Sequence, residues 1–149
     1  YNKKIKKGNK LDIKKIIVAS AGPLTNLIII IITYNLKIDM IKAIMVIYTN
    51  FLIMIFNLLP IYPLDGGRIL SGILHIIVGK QKADDAINNI SMISTILITA
   101  IASVLILYLK NIAIFLIVMY LWYLVLKESN RYLRRKKYIM KILENKTNK

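Results

Sequence analysis

The sequence predicts an all-α integral membrane protein with four transmembrane helices, on three observations: its apolar content, its long charge-free runs and the placement of its cations. Of the 149 residues 57% are hydrophobic, yet the formal net charge is +15, a pairing that soluble domains do not show. A nucleic-acid-binding domain of that charge spreads Lys and Arg over a polar surface. Here they gather towards the ends and leave the middle apolar, so no nucleic-acid partner is expected.

Each span follows from one run. Residues 16–36, 43–64, 86–109 and 111–126 carry no Asp, Glu, Lys or Arg. A spanning helix needs about 20 apolar residues; the first three runs meet that length, and the fourth leans on its flanks. The chain then divides into a basic segment (1–15), a transmembrane core (16–126) and a basic tail (127–149).

Lys and Arg accumulate on the cytoplasmic side of spans. Seven Lys precede the first span, nine Lys or Arg follow the last, and Arg68, Lys80 and Lys82 lie in the middle loop, leaving only Lys37, Lys42 and Lys110 on the other side. Nineteen cations against three place both ends in the cytoplasm and agree with an even number of spans. The same clusters attract anionic lipid. Interleaving of Tyr132, Leu133, Tyr138, Ile139, Ile142 and Leu143 with the basic residues suits an amphipathic helix on the membrane surface; a disordered tail is the other reading.

Polar residues inside the apolar runs are the candidates for function. In the first run, Ala19, Ser20, Ala21 and Gly22 precede Pro23, Thr25 and Asn26. Small residues let helices approach closely, and Pro23 removes a backbone donor, so this is a packing and bending site. The Asn26 amide needs a partner in hydrocarbon, either a neighbouring helix or an extended peptide backbone.

The second span ends in "NLLPIYPLDGGR", residues 57–68. Pro60 and Pro63 break a regular helix and push the preceding residues towards extended geometry, while Gly66 and Gly67 allow backbone angles that other residues avoid. Asp65 lies between the two kinds of breaker. A carboxylate on irregular backbone at membrane depth is tolerated where protein buries it or a wet cavity meets it. Three roles are open: a metal ligand, a salt bridge to Arg68, or a cap on a helix that begins near Gly67.

The remaining polar residues read as structure. His75, the one histidine, has no partner at metal-ligand spacing and reads as interfacial; Asp84 and Asp85 read as a solvated turn or helix start. Ser91, Ser94, Thr95, Thr99 and Ser103 in the last two spans read as scaffold, with Tyr120, Trp122 and Tyr123 as an interfacial aromatic belt. Cysteine is absent, which excludes disulfides and thiolate metal sites.

Taken together, "AGPLTN" (21–26) and "NLLPIYPLDGGR" (57–68) resemble the site-2 protease family of intramembrane zinc metalloproteases, most nearly its stage IV sporulation protein FB type. The resemblance covers essentially the whole chain, as spans three to six of a six-span plan with both termini in the cytoplasm. It implies a zinc ion held by Asp65 and by the two histidines of a His-Glu-x-x-His helix. The metal supplies an activated water and polarises the scissile carbonyl, and the helix Glu is the general base. It further implies that Asn26 holds the unwound substrate backbone with Asn57 close by, and that Pro23, Pro60, Pro63, Gly66 and Gly67 shape the site.

The implied partners are a membrane-associated protein substrate, for the sporulation branch a sigma-factor precursor, and regulatory membrane proteins; the implied location is a bacterial cell membrane. One departure stands out: the 149 residues contain no His-Glu-x-x-His, and His75 alone cannot replace two ligands and a base. The expectation is therefore a chain that begins after the second span of the whole protein, in keeping with its first residue, Tyr1, and that is inactive by itself. The alternative is a catalytically inactive membrane scaffold or partner-binding module of the same fold. A transporter reading expects a symmetry-related repeat and further charges within the spans, and the sequence has neither.

Overall fold

The computed structural model describes residues 2–36 and 39–147, with side chains described for most of them. Lys37, Lys149 and the side chains of Lys3, Lys4, Lys6, Lys7, Leu143 and Lys146 lie outside that description. The described residues form five helices and no strand: α1 (Asn2–Asn35), α2 (Met40–Asn57), α3 (Asp65–Val78), α4 (Lys80–Leu109) and α5 (Ile112–Thr147). Four of them, α1, α2, α4 and α5, contain stretches long and apolar enough to cross a membrane. The all-α membrane fold predicted from hydropathy is the fold observed.

The chain divides into two compact units, residues 1–87 and 88–149. In the first, α1 packs against both α2 and α3. Pro23 lies inside α1 and is buried. It cannot donate to the carbonyl one turn earlier, and the hydroxyls on either side turn back onto the helix: Ser20 Oγ donates to the Ile16 carbonyl at 2.9 Å and Thr25 Oγ1 to that of Ala21 at 2.8 Å. Such back-bonding satisfies polar side chains where lipid offers no partner.

The second span stops earlier than its charge-free run. α2 ends at Asn57 with Leu58 as C-cap, and residues 58–64 are irregular, with a cis peptide between Tyr62 and Pro63. Short bonds hold this segment: Ile61 N–H to the Leu59 carbonyl at 2.7 Å and Leu64 N–H to that of Ile61 at 2.8 Å. Ile61 is fully buried. The break expected at Pro60 and Pro63 is present.

α3 occupies what the sequence reads as part of a loop. Its 14 residues are too few to cross a membrane, and they run along α1. The two helices touch at three levels: the Asp65 carboxylate at Gly22, Gly72 at Ile16 and the Asp12 carbonyl, and His75 at Asp12. Descending positions on α1 meet ascending ones on α3, so the helices are antiparallel. Gly79, at φ 82°, ends α3, a conformation that favours glycine.

In the second unit Thr95 and Leu121 are fully buried, with Ala102, Val118 and Val125 nearly so. The small and polar side chains of α4 bond locally: Thr95 Oγ1 to the Ser91 carbonyl at 2.8 Å and Thr99 Oγ1 to that of Thr95 at 2.7 Å. Across to α5, Trp122 Nε1 donates to Thr99 Oγ1 at 2.9 Å. Asn111 caps α5 by accepting the Ala113 N–H at 2.9 Å. α5 continues without a break through the basic tail, so this segment is helical up to Thr147 rather than disordered. Glu128 pairs with Arg131 and Arg135 there, and Lys127 and Lys136 lie over the rings of Tyr123 and Tyr132.

Candidate functional site

The irregular segment and the start of α3 hold the candidate residues in place through backbone approach. A Cβ on Gly66 would strike the Leu58 and Leu59 carbonyl groups, and one on Gly67 would strike the Ile61 and Tyr62 backbone. Both glycines are therefore required by space, although neither has a positive φ. The local reason is the fold-back: the chain leaves α2, turns through Pro60 and Pro63, and lays the first turn of α3 against its own preceding loop. That turn begins with Asp65.

Asp65 is the first residue of α3, and Leu64 is the N-cap. The helix thus begins two residues before Gly67, and Asp65 is not its cap. A carboxylate in the first turn is favoured by the helix dipole. Arg68 is exposed, and among the described residues Asp65 forms no ion pair with it. The half-buried Asp65 side chain instead turns to α1, where its Oδ2 lies 2.5 Å and its Cγ 3.6 Å from the position of a Cβ on Gly22. Gly22 leaves the room that the carboxylate takes.

Asn26 is half-buried one turn beyond Gly22 on α1, and Asn57 is half-buried at the end of α2. Neither side-chain amide is hydrogen-bonded among the described residues. Pro23 is buried, Pro63 half-buried and Pro60 exposed. The structure thus brings Asp65 to the α1 surface at Gly22, with Pro23 next in sequence.

At the other end of α3 the structure gives His75 two partners that the sequence did not reveal. Its side chain is 6% exposed and lies between two carboxylates: Nδ1 is 3.2 Å from Asp12 Oδ1 and Nε2 is 2.8 Å from Asp84 Oδ1. Lys15 Nζ lies 3.0 Å from the same Asp12 oxygen. Asp84, which reads as solvated in the sequence, is one side of this bridge. No spacing rule reveals it, because 63 residues separate Asp12 from His75.

Metal chemistry can be tested against these residues. The two ring nitrogens of His75 face apart and each already meets a carboxylate, so the trio does not converge on one ion; among the described residues no group of three His, Cys, Asp or Glu could hold a metal. Asp65 offers one oxygen ligand, whereas a zinc site takes four. The carboxylate suits a single ligand position, and the described residues do not hold the rest of the set.

The sequence model of peptidase family M50 matches residues 34–101. This is the site-2 protease family, whose members are metalloproteases. The matched M50 segment runs from the end of α1 through α2, the irregular segment, α3 and most of α4, so it contains Asn57, Pro60, Pro63, Asp65, Gly66 and Gly67. It covers 68 of the 149 residues (34 to 101 inclusive). No curated protein and no solved structure matched the chain. The membrane-spanning helices point to an integral membrane protein, and the matched segment is similar to a family of intramembrane metalloproteases.

Proposed function

We propose that the chain belongs to the M50 family and forms part of an intramembrane zinc metalloprotease of the site-2 protease type, to which it contributes the carboxylate ligand Asp65. The observation that carries this reading is the first turn of α3. An acidic residue follows a proline-broken span, is set by two glycines whose Cβ positions are filled by backbone, and faces a glycine on the neighbouring helix rather than a cation. The matched segment includes that turn. A bound zinc would supply Lewis acidity and an activated water; this reading requires imidazole ligands and a general base that the 149 residues do not contain, so no catalytic step is assigned to the chain alone.

The Asn26 and Asn57 amides are proposed to hold extended substrate backbone, each offering both a donor and an acceptor. The substrate is a membrane-associated protein, with a sporulation sigma-factor precursor as the specific expectation. Regulatory membrane proteins are further proposed partners, and anionic lipid is proposed to meet the basic ends. Both ends of the chain are proposed to lie in the cytoplasm, for which the cation asymmetry is the support, and the membrane is proposed to be that of a bacterial cell.

The second reading, an inactive membrane scaffold or binding module, is favoured by the missing His-Glu-x-x-His. One experiment separates them. The protein is expressed with the genomic sequence that precedes Tyr1, and zinc content and precursor cleavage are compared with those of Asp65→Asn in matched detergent. Loss of both in the variant supports the protease reading. Retention of zinc removes Asp65 from the metal site, and absence of zinc and cleavage from the unsubstituted protein favours the scaffold.

A further inference from the structure

We infer that His75 is a positioning residue for Asp65: by bridging Asp12 and Asp84 it locks α3 against α1 in the register that brings the Asp65 carboxylate to Gly22. The metal role of Asp65 rests on the reading above, whereas the register lock stands on geometry alone. Ten residues separate Asp12 from Gly22 on α1, and ten separate Asp65 from His75 on α3. At 1.5 Å per residue both intervals are about 15 Å. The two contacts are therefore opposite ends of one antiparallel seam, with the Gly72–Ile16 contact between them.

The middle of that seam limits the register only by space. Gly72 is a buried notch for Ile16 and the Asp12 carbonyl, which opposes a slide that would bring a larger residue there. Apolar contact is non-directional, however, and this notch supplies no side-chain hydrogen bond to hold one rotation of α3. Hydrogen bonds to a buried imidazole are directional. A carboxylate oxygen only accepts, so each contact needs a proton on the ring nitrogen or on the carboxyl, and displacement of α3 would leave a His75 side chain that is 6% exposed without partners.

Three segments meet at the bridge: Asp12 from α1, His75 from α3 and Asp84 from the first turns of α4, all within residues 1–87. Lys15 on α1 completes the charged group through Asp12, and Ser71 Oγ lies 3.5 Å from His75 Nε2. The bridge thus fixes α3 from both neighbours in sequence and space. It touches neither Asp65 nor Gly22, and acts on them only through the rigid helix.

The absence of cysteine gives a clean background for the test. The Asp65 Cγ, close to where a cysteine sulfur would stand, is 3.6 Å from the Gly22 Cβ position, so Gly22→Cys with Asp65→Cys is expected to form a disulfide on mild oxidation in detergent. Adding His75→Ala is expected to lower the initial rate about tenfold, since trapping follows the fraction of molecules in register. Asp12→Asn and Asp84→Asn are expected to lower it less, and His75→Gln to restore part of it. Helicity is followed in parallel by circular dichroism.

Unchanged trapping in a folded His75→Ala chain would overturn the inference, as would loss of helicity in all four variants, because the bridge would then hold the fold rather than the register. The trapping result does not depend on zinc. A failed register lock is thereby distinguished from a failed metal assignment, which the zinc content of Asp65→Asn decides.

Discussion

The Asp65 carboxylate occupies the space that a side chain at Gly22 would fill: its Oδ2 lies 2.5 Å from the Cβ position of that glycine. The two residues are 43 positions apart (22 to 65), and their contact joins the two sequence stretches that carry the family resemblance. It also yields a prediction that separates site geometry from stability. Gly22→Ala improves helix propensity by up to about 1 kcal/mol while pushing the carboxylate aside. The midpoint of thermal unfolding is expected not to fall, and on the proposed function the zinc affinity of the protein expressed with its upstream sequence is expected to drop by about tenfold or more, as for lost outer-shell support. Competition with a zinc chelator measures it.

Gly67→Ala is expected to act in the opposite way. The added Cβ would meet backbone atoms of Ile61 and Tyr62, which cannot rotate away as a side chain does. A destabilisation of about 1–3 kcal/mol or more is expected from such overpacking. Denaturant unfolding in detergent, followed by circular dichroism, reads it directly, and equal stability would show that the loop yields.

Fold class was legible in the sequence because it rests on hydropathy, which each run of residues carries locally. The end of α2 was legible for a similar reason, since Pro60 and Pro63 act on their own backbone. α3 was not. Its 14 residues have meaning only against α1, where Gly72 and His75 meet Ile16 and Asp12, and partners so distant leave no periodic trace. Asp65 was recognisable as a chemical candidate from its neighbours, but the space at Gly22 and the bridge at His75 belong to tertiary structure alone.

Trp122→Phe tests the polar join between α4 and α5. It removes the indole donor to Thr99 Oγ1 but leaves the ring volume largely filled and the Thr99 hydroxyl still bonded to the Thr95 carbonyl. Hydrogen bonds between membrane helices contribute roughly 0.6 kcal/mol on average, so a loss of that order is expected in a reversible unfolding assay. A loss several times larger would assign the residue a packing role beyond its hydrogen bond.

Orientation is testable with single cysteines. In intact cells an impermeant maleimide is expected to label Asn111→Cys, between α4 and α5, and to label Lys137→Cys only after permeabilisation. The reverse pattern would contradict the cation asymmetry as an orientation signal.

α5 has 36 residues, about 54 Å of helix, against a hydrocarbon layer about 30 Å thick. The basic segment is therefore the protruding end of the same rod whose inner part carries Val118, Leu121 and Val125. Because the helix is continuous among the described residues from Ile112 to Thr147, the basic tail and the buried packing surface are parts of one element, and neither can change direction without bending the other's helix.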